Sequence, residues 1–383
     1  MRLNMSQIKQ VIAYFLIGLF FFSALKLLDI VVGMIVFDQT QHEQILTNQR
    51  ALHLREFSPN QRVEIMPSDE NMMSYQNLVR KTYTLTIDDN GFIVNGNDID
   101  QFSDTLSIIF FGGSTTASVL SEERDRFPSV IERSLIDADG CNIKTLNGGV
   151  WGNNSVHSLL SYIGKGLSEK PSHVVLMHNI NDLVLLSKTG SYWSAPRSRA
   201  IVRETNLRTS FVDILRETVY LLVPNIYKKV KPLFFPQGTV DEFSGYRDNN
   251  LVYSQIEQIF NKQFRASLES FVAVSRAWRI EPVLMTQFSR FNLNDSFIRE
   301  TYDKSKHELA LEDLVKLHQH GNEIIRSVAT EHGVNLIDLV KEFPQTKDYI
   351  HDIVHLNKKG NLLVAKIITE HLIEDFGDTF KSK

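Results

Sequence analysis

The stretch LSIIFFGGSTTA, residues 106–117, constrains the chain more than any other. A nearly continuous apolar run, ended by two glycines, reads as a strand buried on both faces. Such strands belong to parallel sheets, whose connections carry helices. The downstream segments meet that demand. FPSVIERSLI (127–136) has helical spacing, and NIKTLNGG (142–149) is a short strand running into glycines. NSVHSLLSYIGKGL (154–167) is a helix capped by Asn or Ser, and HVVLMHNIND (173–182) is a strand into a polar turn. A helical stretch over 252–278 precedes the strand EPVLMTQ (281–287), and another over 305–332 precedes VNLIDL (334–339). An amphipathic helix over 357–376 follows. Strands alternating with helices predict a flavodoxin-like, three-layer α/β/α domain over 105–383. Its five-stranded parallel sheet would bind ligands at the carboxyl ends of the strands.

Residues 11–25 form an uninterrupted apolar run that resumes as VVGMIVF (31–37) after Lys26 and Asp29. The full 11–37 stretch exceeds the ~20 helical residues a bilayer takes. Lys26 and Asp29 are three apart, so they share a helix face and can pair. Arg2 and Lys9 precede the run, which leaves residues 1–10 in the cytoplasm by the positive-inside rule. Phe22 and Ala24 do not match the small-x-small pattern of a signal-peptide cleavage site. The expectation is an uncleaved transmembrane signal anchor in the inner membrane, with the 105–383 domain on the periplasmic side. A cleaved signal peptide is the competing reading.

Residues 38–104 read as a juxtamembrane segment, a stalk or surface wrap, with a short helix within 41–55. Within it YTLTIDDNGFIVNG (83–96) alternates, turns at Asn90-Gly91 and alternates again, which predicts a β-hairpin. The interval 187–251 breaks the strand–helix rhythm with mixed aromatic, basic and proline residues. It reads as an insertion packed on the domain, or as a substrate-side lid or membrane-surface contact. The net charge of −4 argues against a nucleic-acid partner. With one cysteine, Cys141, and no HExxH pattern, no metal site is predicted, and no cofactor.

The chemistry-bearing residues stand where strands end. Gly112-Gly113-Ser114 follows the first strand, Asn147-Gly148-Gly149-Val150-Trp151-Gly152-Asn153 the second, and His178-Asn179-Ile180-Asn181-Asp182 the third. Asp352-Ile353-Val354-His355 precedes the last helix. A doubly wound sheet brings such ends to one edge. A serine hydroxyl needs a base to act as a nucleophile, and His355 can serve. Asp352, three residues earlier, would fix the ring's tautomer and favour the imidazolium. The Ser114 and Gly152 backbone N–H groups and the Asn181 side-chain amide are candidate donors to an oxyanion.

Each residue also has a plain structural role open to it. Ser114 is a favoured helix N-cap, Asn181 a turn residue, and Asp352 with His355 a surface pair. His351 reads as a neighbour without a role, and His157 and His178 as structural histidines. Trp151 lines a pocket or fills the core.

The four blocks together resemble those of the SGNH hydrolases, the GDSL-type esterases and lipases. That family places Gly-Asp-Ser after strand one, a glycine after strand two, Gly-x-Asn-Asp after strand three and Asp-x-x-His near the C-terminus. This sequence supplies Gly113-Ser114, Gly152, Asn181-Asp182 and Asp352-x-x-His355 in that order. The wording FGGSTT, NGGVWGNNS and HNINDL is similar to that of membrane-anchored bacterial members linked to envelope polysaccharides. The resemblance implies Ser114 as nucleophile, His355 as base, Asp352 as its partner, and Ser114, Gly152 and Asn181 as oxyanion hole. It implies a serine ester hydrolase on O-acyl (acetyl) esters of envelope carbohydrate, with a lipid ester as the other substrate class. An O-acyltransferase on polysaccharide, or a non-catalytic scaffold of the same fold, are the alternatives. Two positions depart from the pattern: Gly113 stands where the family has an acid, and Asn179 where it has a glycine. A phosphate-binding loop is disfavoured, because no lysine follows Gly113 and G-x-G-x-x-G is not satisfied at 112–117.

Overall fold

The computed structural model describes residues 5–36, 48–96, 106–139, 143–196, 198–206, 251–304 and 309–381. The chain divides into two compact units: Met1–Ala51 with Arg203–Gly238, and Leu52–Val202 with Thr239–Lys383.

In the first unit, Met5–Val36 form one helix of 32 residues. Its stretch Ala13–Val31, 19 residues, is long and apolar enough to cross a membrane, and none of it is buried. At ~1.5 Å per residue the helix exceeds the ~30 Å of a hydrocarbon core. Lys26 and Asp29 pair at 3.3 Å, as their spacing predicts. The short helix expected within 41–55 is not found over Asn48–Leu52. These residues form a strand beside Val202–Asn206 instead, so a distant partner overrides local propensity. Residues 41–47 lie outside the described residues.

The second unit is built on five parallel strands: β1 (Leu106–Gly112), β2 (Ile143–Gly149), β3 (His173–Met177), β4 (Glu281–Met285) and β5 (Asn335–Ile337). Their spatial order is β2-β1-β3-β4-β5, the flavodoxin-like order with a switch point beside β1. Because side chains alternate along a strand, each strand feeds two cores. Ile109, Phe111, Val174, Leu176 and Leu284 face one way. They meet α2 (Ser155–Ser161), α3 (Ile180–Thr189), α4 (Tyr253–Ala277) and α5 (Leu311–His332) through side chains such as Phe260, Phe271 and Ile325. Ile108, Phe110, Val175, Met177 and Val283 face the other way. There they meet Ile131 and Leu135 of α1 (Phe127–Asp139), and Val364 and Ile368 of α6 (Lys358–Lys381). This is the expected α/β/α sandwich.

The predicted hairpin has one full arm. Tyr83–Ile87 is a strand, antiparallel to Gln61–Ile65. The turn is closed by Asp88, whose Oδ1 accepts the N–H of Asn90 (3.0 Å) and Phe92 (2.8 Å), with Gly91 at φ +78°. The returning arm is brief: Ile93 bridges Ile87 and also Asn147 of β2. Through Ile93, whose N–H donates to the Asn147 carbonyl at 2.9 Å, the hairpin covers part of the β2 edge of the sheet.

One buried side chain locks the segment after Ser114 to the last helix. Asn361, on α6, accepts from Ser118 Oγ (3.0 Å) and the Phe127 N–H (3.1 Å) and donates to Ser121 Oγ (3.2 Å). Asn361→Ala is expected to leave that N–H unpaired and cost about 1–3 kcal/mol. Urea denaturation should show a lower midpoint with an unchanged m-value.

Candidate active site

At the end of β1 the backbone is packed too closely for side chains. A Cβ on Gly112 would lie 2.1 Å from Thr116 Oγ1, one on Gly113 2.4 Å from Asn181 Nδ2, and one on Gly149 2.3 Å from the Ala117 nitrogen. These contacts let the chain leave the sheet abruptly into a single helical turn, Ser114–Ala117, which closes on Ser118 at φ +46°. Ser114 opens that turn at the carboxyl edge of the sheet.

The Asp-x-x-His segment reaches the same edge from far along the chain. His355 Nε2 lies 2.7 Å from Ser114 Oγ, and His355 Nδ1 lies 2.6 Å from Asp352 Oδ2. A carboxylate only accepts, so Nδ1 carries the hydrogen and Nε2 is left to accept from the serine hydroxyl. Asp352 Oδ1 accepts the backbone N–H of Val354 (3.0 Å) and His355 (2.8 Å), which fixes the carboxylate's orientation. Burial alone would lower the His355 pKa. The Asp352 charge and hydrogen bond outweigh it and hold the imidazole above its ordinary value. In Asp352 burial pushes upward, and the His355 charge and the accepted hydrogen bonds pull the carboxyl below its ordinary range.

The other expected residues line the same cavity. Its volume is about 390 Å³, and Ser114, Gly152, Asn181 and His355 all contribute to its wall. Asn181 Nδ2 donates to the Asn153 carbonyl at 2.8 Å and so reaches across the turn that carries Gly152. Gly152 has φ +63°, a conformation other residues adopt with strain. Behind it, Asp182 accepts the Ser155 N–H (2.9 Å), the Ser155 hydroxyl (2.5 Å) and the Tyr192 hydroxyl (2.5 Å), tying the start of α2 to α3. Burial pushes that carboxyl up to about 6 against those bonds.

The histidines read as structural are so placed. His157 and His178 are buried, which lowers their pKa values to about 4 and about 3. His178 pairs with Ser158 Oγ at 2.7 Å, and His157 Nε2 donates to the Arg199 carbonyl at 2.9 Å. His351, expected to be idle, is not. Its Nδ1 donates to the Gln76 carbonyl (2.6 Å), its own carbonyl accepts the Gln76 N–H (2.9 Å), and its N–H donates to the His355 carbonyl (2.7 Å). Trp151 is 42% exposed, so it stands at the cavity wall rather than in the core.

Several cavity residues are absent from the sequence reading. Ile65, Asn71 and Tyr75 come from the segment before the sheet domain. The Tyr75 ring stands edge-on to His355, with centroids 5.2 Å apart. Burial, with the Asp352 and Glu70 charges, raises its phenol pKa far above normal. Arg199 comes from the stretch YWSAPRSR, which only its mixed composition marks in the sequence. Residues 207–250, the rest of the expected insertion, lie outside the described residues, as does Cys141.

The two departures from the family pattern have local explanations. At position 113 the space for a side chain is occupied by the Asn181 amide. At position 179 the side chain has a slot: Asn179 Nδ2 donates to the His318 carbonyl (2.8 Å), and its Oδ1 lies where a Cβ on Gly321 would come within 2.5 Å.

No family model matches the chain, and no curated protein matches it. Solved structures to which the chain is similar include a lipase/acylhydrolase from Enterococcus faecalis, at a TM-score of 0.41 and 17% identity, covering 70% of this chain and 96% of that one. An acetyl xylan esterase, AlAXEase, has a TM-score of 0.39 and 19% identity over 70% of this chain and 100% of that one. Axe2, an acetylxylan esterase from Geobacillus stearothermophilus, has a TM-score of 0.39 and 15% identity over 70% and 94%.

Gly321→Ala is expected to drive a methyl group into Asn179 Oδ1 and the Phe260 ring and destabilise the fold by about 1–3 kcal/mol. Adding Asn179→Gly should recover part of the loss. A double-mutant cycle by chemical denaturation measures the coupling.

Proposed function

We propose that this chain is a serine ester hydrolase of the SGNH type, acting through a covalent acyl-serine on O-acyl, chiefly acetyl, esters of envelope carbohydrate. One observation carries the reading. Asp352, His355 and Ser114 form a continuous hydrogen-bonded chain that opens into the cavity lined by Gly152 and Asn181. In the proposed reaction Ser114 Oγ attacks the ester carbonyl carbon while its proton passes to His355 Nε2. The Ser114 and Gly152 N–H groups and the Asn181 amide hold the resulting oxyanion, each worth about 3–4 kcal/mol of barrier. Collapse breaks the bond to the alcohol oxygen, which takes the proton from His355, and leaves the acyl group on Ser114. Water then attacks, giving its proton to His355. A second collapse returns that proton to Ser114 and releases the carboxylic acid.

The apolar helix supports a location. Residues 11–37 would anchor the chain in the inner membrane, residues 1–10 would stay in the cytoplasm, and residues 38–383 would lie on the periplasmic side. The anchor would hold the hydrolase domain close to polymers passing through the envelope.

Ser114→Ala should abolish turnover of 4-nitrophenyl acetate by the full-length protein in detergent while thermal unfolding stays unchanged. Covalent labelling of wild type by an organophosphonate at a residue other than Ser114 would sink the assignment. Asp352→Asn tests the base. His355 must be neutral to accept a proton, so kcat/KM of the wild type should rise with pH through the elevated imidazole pKa. Removing the Asp352 charge should move that inflection to lower pH and cut kcat by about 10³–10⁴-fold. A pH–rate profile that keeps its inflection would mean the carboxylate does not act on the base.

A further inference from the structure

A second cavity opens on the same edge of the sheet. Its volume is about 360 Å³, within the roughly 300–1,000 Å³ of small-molecule sites. Ser289 and Phe291 enter its wall just after β4, and Val340 and Gln345 just after β5, while Val315, His318 and Gln319 come from α5. None of these residues lines the cavity of Ser114. Buried Gln287 links the two walls. Its Nε2 donates to Thr115 Oγ1 (3.3 Å), next to Ser114, and its Oε1 accepts the Ile180 N–H (2.8 Å), next to Asn181. Its backbone N–H donates to Asn322 Oδ1 (2.9 Å) and its carbonyl accepts from Asn322 Nδ2 (3.0 Å), and Asn322 lines the second cavity.

The charges in this wall are compensated. Arg326 gives Nε and Nη2 to Asp338 at 2.8 and 2.9 Å, and Nη1 to Glu323 at 2.6 Å. The Gln345 amide is also committed, accepting the Ser289 N–H (3.0 Å) and donating to the Val340 carbonyl (3.1 Å). His318 differs. It is 2% exposed, and its Nε2 has no hydrogen-bond partner among the described residues. Burial lowers its pKa to about 3, so the ring is neutral, with one donor and one acceptor nitrogen. A buried polar atom left in that state is costly, and a ligand hydroxyl, which both donates and accepts, satisfies either tautomer. The Phe291 ring stands edge-on to His318, with centroids 5.4 Å apart. Val315 and Val340 extend the apolar surface, and Ser289 and Gln319 add a hydroxyl and an amide. Apolar surface beside uncharged donors and acceptors matches a sugar ring, which has apolar C–H faces and a rim of hydroxyls. An anion would meet a guanidinium already shared between two carboxylates.

Building on the ester-hydrolase reading above, we propose that this second cavity binds an uncharged sugar unit of the polymer and holds the chain along the sheet edge while an ester on another unit enters the cavity of Ser114. His318, Ser289 and Gln319 take its hydroxyls, and Phe291 lies against its ring. Through Asn322, Gln287 fixes this cavity relative to Thr115 and Ile180, and so relative to the nucleophile and the Asn181 amide.

The test is saturation-transfer NMR on the full-length protein, in a detergent without a sugar headgroup, with the methyl glycosides of glucose, galactose, mannose and N-acetylglucosamine. At least one should bind. Gln319→Ala, at an exposed helix position, should weaken that binding about 2- to 10-fold, the worth of one neutral hydrogen bond. His318→Phe should do the same, with thermal unfolding showing that each variant is folded. A sugar lost in Trp151→Ala but kept in Gln319→Ala sits in the other cavity and overturns the assignment. Binding of inorganic phosphate or of N-acetyl-trialanine amide in place of every sugar overturns it in favour of an anion or a peptide, and so does no binding at all. On acetylated oligomers of the sugar that binds, kcat/KM should be about 10-fold higher for six units than for one, and Gln319→Ala should narrow that ratio. Equal values overturn the polymer-holding role. 4-Nitrophenyl acetate carries no sugar: if wild type fails to hydrolyse it and the oligomers, the hydrolase reading falls, while the NMR experiment still decides the cavity.

Discussion

The site depends on a close approach of backbone to backbone and side chain at the end of one strand. Gly112, Gly113 and Gly149 stand where a methyl group would overlap Thr116, Asn181 and Ala117 respectively. With hydrogens there, β1 can stop and turn within one residue, and the carboxyl edge of the sheet is left open. Ser114 then stands at the first position of a helical turn, beside the Asn181 amide and the turn carrying Gly152. Any larger residue at these three positions would move the strand end, and everything at the edge would move with it. The Val150 N–H, which donates to the Gly112 carbonyl at 3.2 Å, closes the same junction from the β2 side.

A histidine near a serine is not enough for catalysis; it must be held in one tautomer and one place. Asp352 does the first through its bond to Nδ1, and the loop around it does the second. That loop is gripped from several directions. The buried Arg290 donates its N–H to the Ile353 carbonyl at 2.7 Å, and Ile350 bridges Leu356. His351 and Gln76 exchange two hydrogen bonds, and the Tyr75 ring covers His355. The wall beside His355 on this side therefore comes from residues some 280 positions earlier in the chain.

The sheet and its order were legible because each strand and helix is a local pattern. An apolar run, a glycine pair and a helical stripe are visible in a dozen residues, and right-handed parallel connections leave few ways to assemble them. That Ser114, Gly152, Asn181 and His355 meet at one cavity, with Asp352 on His355, was legible for the same reason, since each lies just after a strand or just before the last helix. Ile65, Asn71, Tyr75 and Arg55 were not. They lie in a polar segment with little periodicity, and their places are set by tertiary partners such as His351 and Asn153. The strand at Asn48–Leu52, within the interval 41–55 where a short helix is expected, depends on a pairing partner about 150 residues away. Gly113 and Asn179 depart from the resembled pattern for reasons that lie in their neighbours. An amide fills the space beside the first, and a helix glycine makes room for the second.

The paired hydrogen bonds between Gln76 and His351 bear on how the protein is handled at the bench. The segment between the apolar helix and β1 looks like a dispensable tether, and trimming it is the usual way to free a domain from its anchor. Here a chain shortened to begin near residue 100 would still hold the whole five-stranded sheet and Ser114, Asp352 and His355. It would nonetheless lack the carbonyl that fixes the His351 ring, the phenol over His355 and the hairpin on the β2 edge. A chain that keeps residues from Leu52 onward retains all three, so a cut belongs ahead of Leu52 rather than at the start of the sheet.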